Sequence, residues 1–209
     1  MCNAGIMNTP YATSSDGYEM QYQVNHLAHF YLTHLLFPKL HAPGGMARVI
    51  FVSSRAHMRH SQSIDYSGLA AETAAEYDGW QAYGRSKLSN ILAAKAFAAR
   101  FPVATSGVAF FSVMPGLVGT NLLTVGGMDA SRGMSTEDGV KCTVWLATAD
   151  GLESKSGGYY QNNVDQFIEA EGESNLMAAI AKDTNEATAC WNKSLEMLQA
   201  TDAAFRHAT

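Results

Sequence analysis

An α/β fold with a parallel sheet is predicted for this chain of 209 residues. Two short apolar runs of strand type, Val49-Ile50-Phe51-Val52 and Gly107 to Val113, are separated by amphipathic helical stretches. Strands that read as continuous apolar runs are buried on both faces, as happens when crossover helices cover a parallel sheet. The length fits a single domain over 1–209, large enough to bury about 70% of the surface its unfolded form exposes.

Each element follows from local pattern. Tyr18 to Leu40 reads as a helix, with Leu27, Phe30, Tyr31, Leu32 and Leu35 on its apolar face. Pro43-Gly44-Gly45 ends it, and Val49 to Val52 forms a strand. Arg55 to about Gly79 is polar and reads as a loop with short helical pieces. Trp80 to Arg100, rich in Ala and Leu, is a long amphipathic helix. Gly107 to Val113 is the second strand, closed by Pro115-Gly116, and Glu137 to Ala149 is a third helix. Tyr159-Tyr160-Gln161 after Gly157-Gly158 forms a short last strand, and Asn175 to Ala200 is helical. In parallel α/β sheets, ligands bind at the carboxyl ends of the strands.

Composition excludes several classes. A net charge of −5 without a basic run argues against nucleic-acid binding driven by phosphate contacts. Cys2, Cys142 and Cys190 are widely spaced with no CxxC pair, which argues for reduced thiols and against a disulfide framework or structural zinc. Ser106 to Leu123 lies within the longest uncharged stretch, but Pro115-Gly116, Gly119, Thr120 and Asn121 make it a strand and a loop rather than a membrane span. No basic region followed by an apolar run opens the chain, so no signal peptide is visible.

The sharpest chemical signal is Tyr83-Gly84-Arg85-Ser86-Lys87. Four residues apart on a helix, Tyr83 and Lys87 share a face. A free tyrosine titrates near 10, and an ammonium at ~4 Å in an effective dielectric of ~20 favours its phenolate by about three pKa units. That brings a phenol toward the working range of a general acid–base group. YxxxK alone is common on ordinary helices. Here it follows Ser53-Ser54 at a strand end, where a hydroxyl can polarise a carbonyl. Asn3-Ala4-Gly5, Asn25 and Pro115-Gly116-Leu117-Val118-Gly119-Thr120 complete an ordered set.

With these residues the chain resembles the short-chain dehydrogenase/reductase family along nearly all its length. Asn3, Ala4 and Gly5 look like the family's NAG motif after the fourth strand, and Asn25 like its helix asparagine. Ser54 looks like the catalytic serine, because the family pattern places the second serine of the pair in the site; Tyr83 and Lys87 look like its YxxxK pair. Pro115, Gly116, Val118 and Thr120 resemble the segment at the nicotinamide end of the cofactor. Ser53 to His57, Tyr83 to Asn90 and Cys190 to Ser194 are similar to retinol dehydrogenase-like and WW-domain-containing oxidoreductases.

The resemblance implies a Rossmann-like, doubly wound sheet and NADP or NAD as cofactor. It implies a small hydrophobic alcohol or carbonyl as substrate, with homo-oligomer assembly an open option. In this reading Tyr83 moves the proton, Ser54 holds the substrate oxygen, Lys87 lowers the Tyr83 pKa and binds the nicotinamide ribose, and Asn25 positions a proton-relaying water. The hydride chemistry belongs to the cofactor.

The family's T-G-x-x-x-G-x-G turn is not formed by any of the 18 glycines. The resemblance therefore has the chain opening inside the fourth strand, as the C-terminal two-thirds of the family domain. The expectation is a truncated sequence lacking roughly 80–100 residues of βαβ units. Any targeting signal would lie there, and the cytoplasm is the default compartment. The alternative function is a catalytically inactive remnant acting as an interaction or regulatory protein. A metal site is not expected: His26/His29 and His57/His60 are each three apart without Cys or carboxylate support. A serine hydrolase is disfavoured by the absence of a G-x-S-x-G elbow.

Overall fold

The computed structural model describes residues 1–40, 46–60, 62–66, 69, 73–163, 166–169 and 176–202. Helix α1 runs as Met20–Tyr22, a π-helical turn Gln23–Leu27 and Ala28–Leu40. Strand β1 is Ala47–Val52, helix α2 Gly79–Arg100 and strand β2 Val108–Met114. Helix α3 is Thr136–Thr148, strands β3 and β4 are Tyr159–Asn163 and Gln166–Glu169, and helix α4 is Thr184–Thr201. The expected stop at Pro43-Gly44-Gly45 lies outside the described residues. The last helix begins at Thr184, later than the expected Asn175, which is also outside them.

The sheet order is β1-β2-β3-β4. β1 and β2 pair in parallel from Ala47↔Val108 to Val52↔Val113, and β2 and β3 pair in parallel from Ser112↔Tyr159. β4 is antiparallel to β3, so the sheet is not wholly parallel as the sequence pattern suggested. Its short polar-ended run carries no buried-strand signature. On the other edge of β1, Cys2 forms a parallel bridge with Phe51: its N–H donates to the Ile50 carbonyl at 2.8 Å and its carbonyl accepts from Val52 N at 3.0 Å. Cys2 thus lies beside β1, on the edge away from β2.

The strands are apolar because both faces are covered. Val49, Phe51, Val108, Phe110 and Tyr159 face a core shared with α1, α2 and α4. Ile50, Val52, Ala109, Phe111, Val113 and Tyr160 face Cys142 and Leu146 of α3. This two-residue alternation between helical layers is the doubly wound arrangement. Phe97 of α2 anchors the larger core, its ring 4.8 Å from Trp191, 5.0 Å from Phe110 and 5.2 Å from Phe30.

Helix α2 carries most of the candidate chemistry, and its start is fixed locally. Asp78 caps it, accepting from Trp80 N at 2.8 Å and Gln81 N at 3.1 Å. Asp78→Ala is expected to lower stability by about 1 kcal/mol, read from the urea midpoint at unchanged slope.

Candidate active site

The carboxyl ends of the parallel strands open into a cavity of about 1050 Å³. Its wall brings together Asn3, Ala4 and Gly5, then Ser53, Ser54, Tyr83 and Lys87, then Pro115, Gly116, Val118 and Thr120. Segments separated by more than a hundred residues thus converge where a parallel sheet places ligands. Asn25 is the exception among the sequence-derived candidates: it is fully buried behind the cavity wall.

The two serines divide their work. Ser53 Oγ donates to the Lys87 carbonyl at 2.7 Å and is buried. Ser54 is half-buried, accepts from Ala56 N at 3.2 Å as cap of the 3-10 turn Arg55–Arg59, and interacts with the Tyr83 phenol. His57, in that turn, donates from Nδ1 to the Ser54 carbonyl at 2.7 Å and accepts from Ala178 N at Nε2. Burial pushes its pKa down, which keeps the neutral tautomer this bonding requires. Gly84 lets α2 lie against the turn: a Cβ there would sit 2.6 Å from the Ala56 carbonyl.

Lys87 is 3% exposed, and its Nζ donates to the Val52 carbonyl at 3.2 Å. Burial pushes its pKa down from 10.5 to about 8. Its Nζ lies 5.5 Å from the Tyr83 ring centroid. The sequence spacing predicted a Tyr83 phenol depressed by Lys87; instead burial raises it, and only the Ser54 hydroxyl works against that rise. Taking the phenolate out of water outweighs an ammonium that sits over the ring. Burial therefore favours the neutral phenol of Tyr83 over its phenolate.

Asn25 acts on the wall itself. Its Oδ1 accepts from Ile6 N at 2.8 Å, and its Nδ2 donates to the Ile6 carbonyl at 2.8 Å and to Ser86 Oγ at 3.0 Å. The Asn25 carboxamide thereby ties Ile6, next to the Asn3-Ala4-Gly5 segment, to its helix. Gly5 fits because a Cβ there would lie 2.9 Å from Asn25 Oδ1. Within the π-helical turn the Asn25 carbonyl accepts from His29 Nδ1 at 3.1 Å and Asn90 Nδ2 at 2.9 Å. Such turns recur at functional sites.

Asn90 was legible only as part of the Tyr83-to-Asn90 segment. Its Nδ2 also donates to the Val52 carbonyl at 3.0 Å, the same oxygen Lys87 uses. His26, its pKa pushed down to about 3 by burial, spans Asn90 Oδ1 and Ser194 Oγ. His60 Nε2 contacts the Gln81 carbonyl at 3.0 Å, so the histidine pairs are each engaged in hydrogen bonds. Among the described residues no three His, Cys, Asp or Glu side chains converge on a metal position. Among them, too, no helix is long and apolar enough to cross a membrane.

No family model matches the chain. It is 34% identical over 183 residues to mouse retinol dehydrogenase 11, covering 84% of this chain and 56% of that protein. It is 35% identical over 202 residues to a chicken WW domain-containing oxidoreductase, covering 89% and 47%. A crystal structure of an uncharacterised protein from Mycobacterium paratuberculosis matches at a TM-score of 0.70 and 30% identity, over 94% of this chain and 65% of that one. Its homologues and its structural neighbours are short-chain dehydrogenases/reductases. It spans about half the length of the curated relatives it matches. One cavity wall carries Ser54, Tyr83 and Lys87, together with the Asn3–Gly5 and Pro115–Thr120 segments.

Proposed function

We propose that the chain belongs to an NAD(P)-dependent oxidoreductase that interconverts a hydrophobic alcohol and its carbonyl, in the manner of its retinol dehydrogenase relatives. The observation that carries the reading is the meeting of Ser54, Tyr83 and Lys87 on one cavity wall. Tyr83 as the phenol donates its proton to the carbonyl oxygen during reduction, and as the phenolate takes the proton of the alcohol during oxidation. The Ser54 hydroxyl holds that oxygen and favours the charge developing on it. Asn25 and Asn90 keep Gly5, Val52 and thus Lys87 in register.

The size of the cavity supports a cofactor's nicotinamide end bound beside a substrate. Its volume of about 1050 Å³ reaches the upper end of small-molecule sites. An ammonium has three donors, and the Val52 carbonyl takes one from Lys87, leaving others for ribose hydroxyls. Asn3, Ala4, Gly5, Pro115, Gly116, Val118, Thr120, Tyr83 and Lys87 would hold the cofactor. NAD or NADP would supply the hydride acceptor or donor.

The serine pair tests the reading. Ser54→Ala is expected to lower kcat/KM for carbonyl reduction about 10²-fold, as loss of a transition-state donor does. Ser53→Ala is expected to leave kcat/KM near wild type and to lower stability by about 1 kcal/mol, through the lost bond to the Lys87 carbonyl. The reverse pattern would put Ser53 in the site. Equal turnover in both variants and wild type would remove the serine from the mechanism.

A further inference from the structure

The cavity has a charge pattern that the hydride-transfer reading does not use. Although the chain carries a net charge of −5, the cavity wall includes Arg55, Arg59 and Lys87, and no Asp or Glu among the described residues. Lys87 gives one donor to the Val52 carbonyl, and in the reading above its others go to the cofactor ribose. Arg55 and Arg59 lie on the exposed turn after Ser54, and among the described residues neither has a carboxylate partner. The Arg59 guanidinium is 5.4 Å from the centroid of Trp80, whose ring meets Tyr83 edge-on at 6.1 Å. Stacking fixes the plane of a guanidinium while leaving its in-plane N–H donors open to a bidentate acceptor.

The surroundings at this end of the cavity are apolar. Met7, Tyr83 and Leu123 pack together with Trp80 and Leu122, and Leu117 and Met128 line the cavity while remaining well exposed. An apolar trough ending in two planar cations, without a carboxylate partner among the described residues, suits a molecule with a hydrocarbon body and an anionic end.

We infer that Arg55 and Arg59 form a carboxylate-recognition subsite, so that the substrate class is apolar carbonyl compounds bearing an acid group. The inference rests on the reductase reading above. In that reaction the hydride adds to the carbonyl carbon, Tyr83 supplies the proton to oxygen, the dinucleotide is oxidised and the carboxylate is unchanged. The anion could instead be a cofactor phosphate, and the two sources separate experimentally.

Two measurements test the subsite. The first is calorimetric binding of dodecanedioate, which has carboxylates and no reducible carbonyl, alongside NADPH, NADH and inorganic phosphate. R55Q/R59Q is expected to weaken dodecanedioate about tenfold or more, with the wild-type affinity falling as salt rises, and to leave dinucleotide binding unchanged. The second compares 12-oxododecanoate with its methyl ester under NADPH or NADH. Wild type is expected to favour the acid about tenfold in kcat/KM, and R55Q/R59Q to erase the preference. Equal use of acid and ester, or unchanged dodecanedioate binding in the variant, would overturn the inference. So would a variant that loses dinucleotide or phosphate binding instead, because the arginines would then serve the cofactor. Arginine-dependent dodecanedioate binding without any turnover would uphold the subsite and defeat the reductase reading.

Discussion

Tyr83→Phe should lower the rate of hydride transfer about 10³-fold, roughly 4 kcal/mol of transition-state stabilisation, while changing dinucleotide affinity little. The variant keeps the ring that packs with Met7 and Leu123 and meets Trp80. It removes only the proton that burial holds on the phenol, and the partner of the Ser54 hydroxyl. Steady-state kinetics with a saturating dinucleotide, together with its dissociation constant from fluorescence, separate the two effects. Turnover within tenfold of wild type would remove Tyr83 from the proton path.

The second large effect comes from Lys87→Met, and it runs in opposite directions for activity and stability. Met preserves the volume and removes a buried ammonium. The Val52 carbonyl keeps its bond from Asn90 Nδ2, so no acceptor is orphaned. Turnover should fall about 10²- to 10³-fold as the donor facing the cavity is lost. Stability at pH 7 should rise by about 1–3 kcal/mol, because folding lowers the Lys87 pKa from 10.5 to about 8 and so disfavours the charged form. The sign fixes the pH window. Below pH 8 both folded and unfolded wild type carry the proton and the burial penalty is complete. Between 8 and 10.5 only the unfolded chain holds it, so wild-type stability climbs with pH and the advantage of Met shrinks. Urea midpoints at pH 7 and pH 10 check this. A variant less stable than wild type at pH 7 would show that the ammonium is a net structural contributor.

Much of this was legible in the sequence for physical reasons. The apolar runs Val49–Val52 and Gly107–Val113 are near-continuous because helices cover both faces of the sheet, so strand and fold class could be read together. Tyr83 and Lys87 share a helix face by spacing alone, and their meeting with Ser54 follows from a strand end facing that helix. Spacing carries no information on burial, and burial is what raises the Tyr83 phenol instead of letting Lys87 depress it. The π-helical turn Gln23–Leu27 was hidden because one added residue hardly disturbs an apolar stripe. With it went the actual posture of Asn25, whose carboxamide grips Ile6. β4 was missed because its pairing with β3 rests on backbone register rather than on an apolar run. The place of Arg55 and Arg59 on the cavity wall comes from the structure, since the sequence shows there only a polar loop.

The most direct test of the central claim follows an isotope. The protein is incubated with NADPH or NADH carrying deuterium at the transferable C4 position and a panel of hydrophobic aldehydes, and the alcohols are analysed by mass spectrometry. The account predicts deuterium at the former carbonyl carbon of the product with wild type and almost none with Tyr83→Phe. Dinucleotide binding without deuterium transfer to any carbonyl, or no dinucleotide binding at all, would contradict it and make a non-catalytic role for this fold the better account.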